Sequence, residues 1–195
     1  MNNIILEKAE DGNSYPIDVF SKLSKSRILF LCDHIDDNTA SEVVAALLSL
    51  NGMNKEKITM YINSESGDIR SVLMIYDMMK LIRSPIETFC IGSATCEVTL
   101  LLAAGKKGMR YATKNSLVSI GQLTANYMQY GDLSNAEISH TQVKNDNDNY
   151  IKLLSKCINK PVKIIKKDCE RKIFMTADES KKYGIIDRVI SGIKK

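Results

Sequence analysis

The chain has 195 residues, 44% of them hydrophobic and 26% charged, and a net charge of +4, which is the profile of one globular domain with a sizeable core. It contains no apolar run of 18 or more residues, so we expect no membrane span. The lysines are scattered and no nucleic-acid-binding motif accompanies them, so we expect no nucleic-acid partner either.

Short apolar runs, each followed by a helical pattern, fill the first half of the chain. Polar residues bound each run, as in buried strands, and the segments that follow repeat apolar residues at helical spacing. The predicted strands are 28–32, 58–63 and 86–91, and the helices between them end at Gly52 and before Pro85. Strand–helix units of about 30 residues predict βαβ crossovers and a parallel sheet, which is an α/β fold.

Two loops follow predicted strands and are expected to meet. One is the turn at 64–67, and the other is a strand-to-helix elbow at 92–97. The carboxyl ends of parallel strands lie along one edge of a sheet, and ligands bind in the crevice outside that edge. The sequence therefore predicts that both loops line one cleft.

A long helix is predicted over about 132–158. Its apolar residues cluster at its two ends, while its centre, 144–149, reads Lys-Asn-Asp-Asn-Asp-Asn. Asn and Asp are weak helix formers, and a run of them offers no apolar face to bury. We expect this helix to project from the body with a solvated or frayed centre. A helix stop at Gly184 and a final strand follow later in the chain.

Three motifs stand in a telling order. Residues 92–105 read Gly-Ser-Ala-Thr-Cys-Glu-Val-Thr-Leu-Leu-Leu-Ala-Ala-Gly, residues 120–122 read Ile-Gly-Gln, and residues 170–177 read Glu-Arg-Lys-Ile-Phe-Met-Thr-Ala. In this order and spacing the chain resembles, from about residue 15 to 190, the proteolytic subunit (ClpP) of the Clp protease family. The resemblance implies a ClpP/crotonase-like fold of repeated βαβ units with a projecting handle helix. It also implies an N-terminal axial segment and first helix over 1–27, followed by a single domain over 28–195.

The resemblance also locates a catalytic triad whose residues have been replaced. The family has a serine in the elbow, a histidine before the Gln and an aspartate before the Phe-Met, where this chain has Cys96, Gly121 and Lys172. A serine peptidase needs a nucleophile, a base and a carboxylate that orients the base. A cysteine nucleophile needs an imidazole or another cation to lower its pKa. The resemblance therefore implies that no catalytic residue is functional. His34 and His140 are expected to lie too far from Cys96 to replace the base.

The loop that holds the developing oxyanion in the family is altered as well. The resemblance assigns this degenerate loop to Ser66, Gly67 and Glu97. Residues 63–67 read Asn-Ser-Glu-Ser-Gly where the family has Asn-Ser-Pro-Gly-Gly, so Glu65 would oppose negative charge if it pointed inward. Residues 122–126 read Gln-Leu-Thr-Ala-Asn, without the Pro and Gly residues of the family's substrate-binding strand.

The family's assembly implies the partners of this chain. Its subunits form seven-membered rings that stack through the handle helix, and Glu170 and Arg171 match a pair involved in ring-to-ring contact. An AAA+ unfoldase chaperone docks on the ring in apolar pockets, to which Tyr61, Leu81 and Tyr111 correspond. Because the centre of the handle helix is polar, ring formation is expected more firmly than stacking. An active ClpP paralogue is the expected third partner.

The cysteines and histidines do not suggest a metal site. The five cysteines include no C-x-x-C pair, and the chain has only two histidines. We therefore expect free thiols in a reducing compartment and neither a metal nor a cofactor. The many Lys, Asn and Ile residues favour a plastid-type organelle stroma, in an apicoplast or a chloroplast, with the cytoplasm of a cyanobacterium-like bacterium as the alternative.

Three functions remain open at this stage. The leading one is a catalytically inactive subunit of an ATP-dependent Clp protease, similar to the noncatalytic ClpR-type paralogues, with a structural and regulatory role in the ring. The second is a divergent cysteine peptidase that uses Cys96. The third is an acyl-binding crotonase-like protein, for which the sequence shows no Gly-rich phosphate-binding loop.

Overall fold

Strands and helices alternate along most of the chain. The structure is a computed structural model that describes residues 4–8, 13–123 and 133–192. Its elements are β1 (Ile4–Lys8), β2 (Ser14–Asp18), α1 (Val19–Lys25), β3 (Ile28–Cys32), α2 (Asp37–Met53), β4 (Ile58–Ser64), α3 (Ile69–Leu81), β5 (Ile86–Ala94), α4 (Val98–Ala104), β6 (Arg110–Thr113), β7 (Leu117–Ile120), α5 (Leu133–Ile158), α6 (Val162–Cys169), β8 (Ile173–Thr176), α7 (Ala177–Tyr183) and β9 (Arg188–Ile190). None of the helices in these ranges is long and apolar enough to cross a membrane.

A parallel sheet forms the centre of the molecule. Its strands lie in the order β3-β4-β5-β6-β9, and each neighbouring pair is parallel. The short β7 pairs in parallel with the end of β5 and antiparallel with β8. Leu31, Met60 and Cys90 on successive strands are fully buried, which explains why the strands read as short apolar runs. The predicted α/β fold with a parallel sheet is confirmed.

Several predicted boundaries differ from the structure by a few residues. The helix expected to stop at Gly52 continues to Met53 and ends at Asn54, whose side-chain oxygen accepts the backbone N–H of Glu56. The third strand extends to Ala94 instead of ending at residue 91. Gly92, the predicted start of the elbow, is therefore a strand residue, and its φ of 87° is one that glycine adopts without strain.

Helix α5 is continuous over its described residues, and the prediction of a solvated or frayed centre is wrong for part of the polar run. Asp146, in the middle of the polar run, is buried and forms an ion pair with Arg70 of α3. The side chain of Asn147 accepts the backbone N–H of Leu123. The prediction failed because polar side chains that find partners in the body can face inward. The C-terminal half packs Tyr150 and Leu154 into the core, while residues 137–142 lie mostly exposed.

Candidate functional site

Cys96 lies on a sharp turn between β5 and α4. Its φ is 47°, a conformation that residues other than glycine seldom adopt and that recurs at functional sites. The backbone N–H of Cys96 donates to the carbonyl of Ser119 at 2.9 Å, and the hydroxyl of Tyr150 donates to the carbonyl of Cys96 at 2.9 Å. Because Tyr150 is buried in α5, the long helix and β7 together hold the elbow in place.

The three triad positions are neighbours in space. A Cβ atom added at Gly121 would lie 3.4 Å from the sulfur of Cys96 and 3.4 Å from Cγ of Lys172. Gly121 directly follows β7, and Lys172 directly precedes β8. The fold therefore brings the three predicted positions together, and they hold a cysteine, a glycine and a lysine.

These positions line a cavity of about 280 Å³. Its lining residues are Glu65, Ser66, Cys96, Glu97, Gly121, Gln122, Cys169, Glu170 and Lys172. Among these described residues there is no imidazole. The ammonium group of Lys172 lies 5.0 Å from the centroid of the Phe174 ring. In the described part of the chain no group of His, Cys, Asp and Glu residues has the arrangement of a metal site.

His34 lies closer to this cavity than the sequence suggested. Its Nδ1 atom is 2.9 Å from the hydroxyl of Ser66, a residue of the cavity wall, and its Nε2 atom is 3.9 Å from the carboxylate of Asp68. An isolated bridge pairs Ile35 with Gly67, so the loops after β3 and β4 run side by side. The sequence could have indicated this, because β3 and β4 were predicted as consecutive parallel strands and the loops after neighbouring strands lie side by side. Cys96 itself has Ser119 as its side-chain neighbour, at 4.0 Å.

His140 belongs to a different cavity. That cavity measures about 290 Å³ and lies along α5, and Gln122 and Lys166 also line it. The second histidine is therefore not part of the Cys96 site.

The carboxylate that meets the loop predicted to hold an oxyanion belongs to Glu97. Glu65, which the sequence suggested for this place, is exposed, and its carboxylate accepts a 3.4 Å hydrogen bond from Ser93. Glu97 is only 6% exposed, and its Oε1 atom accepts the backbone N–H of Gly67 at 2.8 Å. Burial raises the pKa of the Glu97 carboxyl above its ordinary value, against the opposing effect of hydrogen bonds from the backbone N–H groups of Glu97 and Gly67.

The residues matched to chaperone docking occupy a different face. Tyr61 and Tyr111 belong to a row of stacked rings on neighbouring strands, with centroid separations of 5.1, 5.1 and 4.6 Å. The rings of the row are Phe30, Tyr61, Phe89 and Tyr111. Leu81, at the end of α3, is 74% exposed. Docking at these residues stays a prediction.

The residues matched to ring-to-ring contact lie beside the cavity. Glu170 and Arg171 follow α6 and are both exposed, and Glu170 also lines the Cys96 cavity. Their role between rings likewise stays a prediction.

Comparison with known families gives one finding. A family model described as Clp protease matches residues 10–192. The matched range contains all elements from β2 to β9 and all residues that line the Cys96 cavity. The match therefore covers nearly the whole chain and not one motif alone.

Proposed function

Because the chain belongs to the Clp protease family, we propose that it is a catalytically silent subunit of a Clp protease complex. The observation that carries the proposal is the contact of Gly121 with Cys96. The position from which a base would take the proton of the nucleophile faces the Cys96 sulfur at van der Waals distance, and it has no side chain. At the third position, Lys172 has the wrong charge to support an imidazolium.

The size of the expected defect follows from how a triad works. Its members act as a unit, and loss of the nucleophile or the base costs about a millionfold in turnover in a serine peptidase. The thiol of Cys96 would have to ionise without an imidazole in the described cavity wall. We therefore expect the chain to turn over no peptide at a measurable rate.

The role of such a subunit would be structural and regulatory. We propose that it forms seven-membered rings, by itself or with an active ClpP paralogue, and offers a docking surface to an AAA+ Clp chaperone. The retained parallel sheet, the row of rings that includes Tyr61 and Tyr111, and the exposed Leu81 support this proposal. The ClpR-type assignment and a plastid-type stroma as its location belong to the same proposal.

A divergent cysteine peptidase is the second candidate. Two observations favour it: Cys96 lies on a strained elbow at an open cavity, and His34 contacts Ser66 of the cavity wall. In such an enzyme His34 would have to reach the Cys96 sulfur, which has Ser119 as its neighbour instead.

Cleavage of a short fluorogenic peptide distinguishes the two candidates. The wild type, Cys96→Ala and His34→Ala should all show the same background rate, and a thiol-reactive peptide chloromethyl ketone should not label Cys96 faster than a free thiol. Activity that disappears in Cys96→Ala would overturn the proposed silence. If it also disappears in His34→Ala, the cysteine peptidase is the correct candidate.

A further inference from the structure

Glu97 is an acidic side chain that is only 6% exposed. A buried carboxylate costs several kcal/mol unless hydrogen bonds compensate it. The Oε1 atom of Glu97 is compensated by the backbone N–H of Gly67 at 2.8 Å, and the backbone N–H of Glu97 itself also favours the charged form. The N–H of Gly67 is therefore engaged by a carboxylate that belongs to the chain.

The positions of the two N–H groups in the fold explain why this contact matters. In hydrolases whose nucleophile lies on a strand-to-helix elbow, the oxyanion is held by the backbone N–H of the residue after the nucleophile and by an N–H from another loop. Glu97 follows Cys96, and Gly67 belongs to the loop after β4. One of the two donors that would hold an oxyanion, the N–H of Gly67, is thus the donor that meets the Glu97 carboxylate.

The packing of Gly67 keeps its N–H in place. A Cβ atom at this position would come within 2.8 Å of Cβ of Ile35 and within 3.1 Å of Cγ2 of Val72. An isolated bridge between Ile35 and Gly67 also pairs this loop with the loop after β3. A donor fixed by its surroundings binds an anion without reorganisation, so a carboxylate suits this place whether it comes from the chain or from outside.

We propose that the Glu97 carboxylate occupies the oxyanion position of the elbow as an internal ligand and so closes the site to an acyl oxygen or an external carboxylate. The inference goes beyond the proposed function. The missing triad removes proton transfer, whereas Glu97 removes anion binding, and it does so whether or not the chain enters a ring. In this respect the chain carries an autoinhibitory contact that repair of the triad would not release.

The amide proton of Gly67 reports directly on this contact. Glycine is labelled with ¹⁵N and serine with ¹³C at the carbonyl, and only amides whose ¹⁵N is bonded to a ¹³C carbonyl are detected. The spectrum then contains the signals of Gly67 and Gly192, the two glycines that follow a serine. In the wild type at neutral pH the Gly67 signal should lie downfield, as expected for a hydrogen bond to a carboxylate, and should not respond to acetate. In Glu97→Ala it should move upfield, and acetate should return it downfield in a saturable manner.

Matched variants separate this contact from general effects of the cavity. Glu65→Ala removes another carboxylate of the same cavity wall and should leave the Gly67 signal unchanged. Glu97→Gln keeps the shape of the side chain without its charge and should move the signal part of the way upfield. It also provides the comparison if Glu97→Ala does not fold. Gly192, whose signal should stay constant, is the internal reference.

Several results would overturn the inference. The first is a Gly67 signal at the same chemical shift in the wild type and Glu97→Gln. The second is a Gly67 signal in Glu97→Ala that acetate does not shift. The third is a wild-type Gly67 signal that acetate shifts as strongly as that of Glu97→Ala. The peptidase assay tests the proposed silence and the Gly67 signal tests the internal ligand. Failure of one is therefore distinguishable from failure of the other.

Discussion

Gly121 and Glu97 affect the same site by different physical means. Gly121 has no side chain that could accept a proton from Cys96, and the carboxylate of Glu97 accepts the N–H of Gly67. Proton transfer and oxyanion stabilisation contribute separately to the rate of an acyl transfer. A repair that restores only one of them should therefore remain far from an active peptidase.

This separation predicts the outcome of a repair experiment. The triple variant Cys96→Ser, Gly121→His and Lys172→Asp should hydrolyse a fluorogenic peptide only weakly, because the Gly67 donor is still occupied. Adding Glu97→Met, which keeps the length of the side chain without its charge, should raise kcat/KM on the order of 100-fold, the cost of one lost oxyanion donor.

The matched control adds Glu65→Met to the same triple variant and should leave kcat/KM within about a factor of three, because this exposed carboxylate lies away from the Gly67 N–H. A triple variant that already has a high kcat/KM, which Glu97→Met does not raise, would show that substrate displaces the Glu97 carboxylate from the Gly67 N–H.

The sequence predicts part of this site, and the reason for the limit is physical. The resemblance to the Clp protease family implied the meeting of Cys96, Gly121 and Lys172, and a Cβ atom at Gly121 would lie 3.4 Å from both Sγ of Cys96 and Cγ of Lys172. The choice between Glu65 and Glu97 depends on which way a side chain turns from a loop. Pattern analysis cannot decide that, because both residues adjoin the same cavity.

At the scale of elements, an ion pair joins α5 to the body. Arg70 of α3 donates to Oδ1 of Asp146 at 2.5 Å, and Gln142 donates to the same oxygen at 3.0 Å. The Asp146 side chain is only 7% exposed, whereas that of Arg70 is 57% exposed. The second oxygen of Asp146 has no hydrogen-bond partner among the described residues. Removal of Arg70 would thus leave a buried carboxylate with one neutral donor.

A surface pair on the same helix offers the comparison. Asp148 accepts from Lys166 at 3.1 Å, and the two side chains are 36% and 54% exposed. We predict that Arg70→Met lowers the free energy of unfolding by about 1–3 kcal/mol, the range for a hydrogen bond to a buried charged group. Lys166→Met should lower it by less than about 1 kcal/mol, because solvent screens an exposed pair.

Urea unfolding of the two variants beside the wild type measures this difference. The double variant Arg70→Met with Asp146→Asn should recover part of the loss, because the uncompensated charge is gone. Equal losses in Arg70→Met and Lys166→Met would mean that Asp146 is solvated after all and that the centre of α5 does not contact α3.

The polar run in α5 shows which features of an element a sequence reveals. The described helix runs over Leu133–Ile158, and its C-terminal end lies within about a residue of the predicted one. The environment of the polar run was not predicted correctly. A sequence does not show whether the hydrogen-bonding groups of Asn and Asp side chains contact water or another part of the chain. Here Arg70 and the backbone of Leu123, both distant in sequence, satisfy part of it.

At the scale of the whole molecule, the C-terminal strand is tied to the sheet by a buried ion pair. Arg110 of β6 and Asp187 before β9 form two parallel hydrogen bonds of 2.9 and 2.7 Å, and Asp187 also accepts the backbone N–H of Gly108. Bidentate pairs of this kind are among the strongest polar contacts in proteins. The ion pair therefore joins β6 to the segment that leads into β9, whereas residues 137–145 of α5 are mostly exposed.

The exposed surface of residues 137–145 bears on the assembly that we propose. Among residues 137–145 only Ile138 is a large apolar side chain that is largely exposed. Helix-to-helix packing needs an apolar stripe over roughly a third of the helix surface, and this segment offers none. Exposed ion pairs would add only about 0–1 kcal/mol each. Contacts between rings would then depend on Glu170 and Arg171, which salt would screen.

We therefore predict that the purified chain sediments as a seven-subunit particle in high salt, with any fourteen-subunit particle confined to low salt. Arg171→Gln should remove the larger particle at low salt. Lys144→Gln, which neutralises an exposed cation on α5, should leave it unchanged. Analytical ultracentrifugation at both salt concentrations measures these masses. A fourteen-subunit particle that resists high salt would show that α5 packs between rings despite its polar surface, and a monomer at both would overturn the proposed ring.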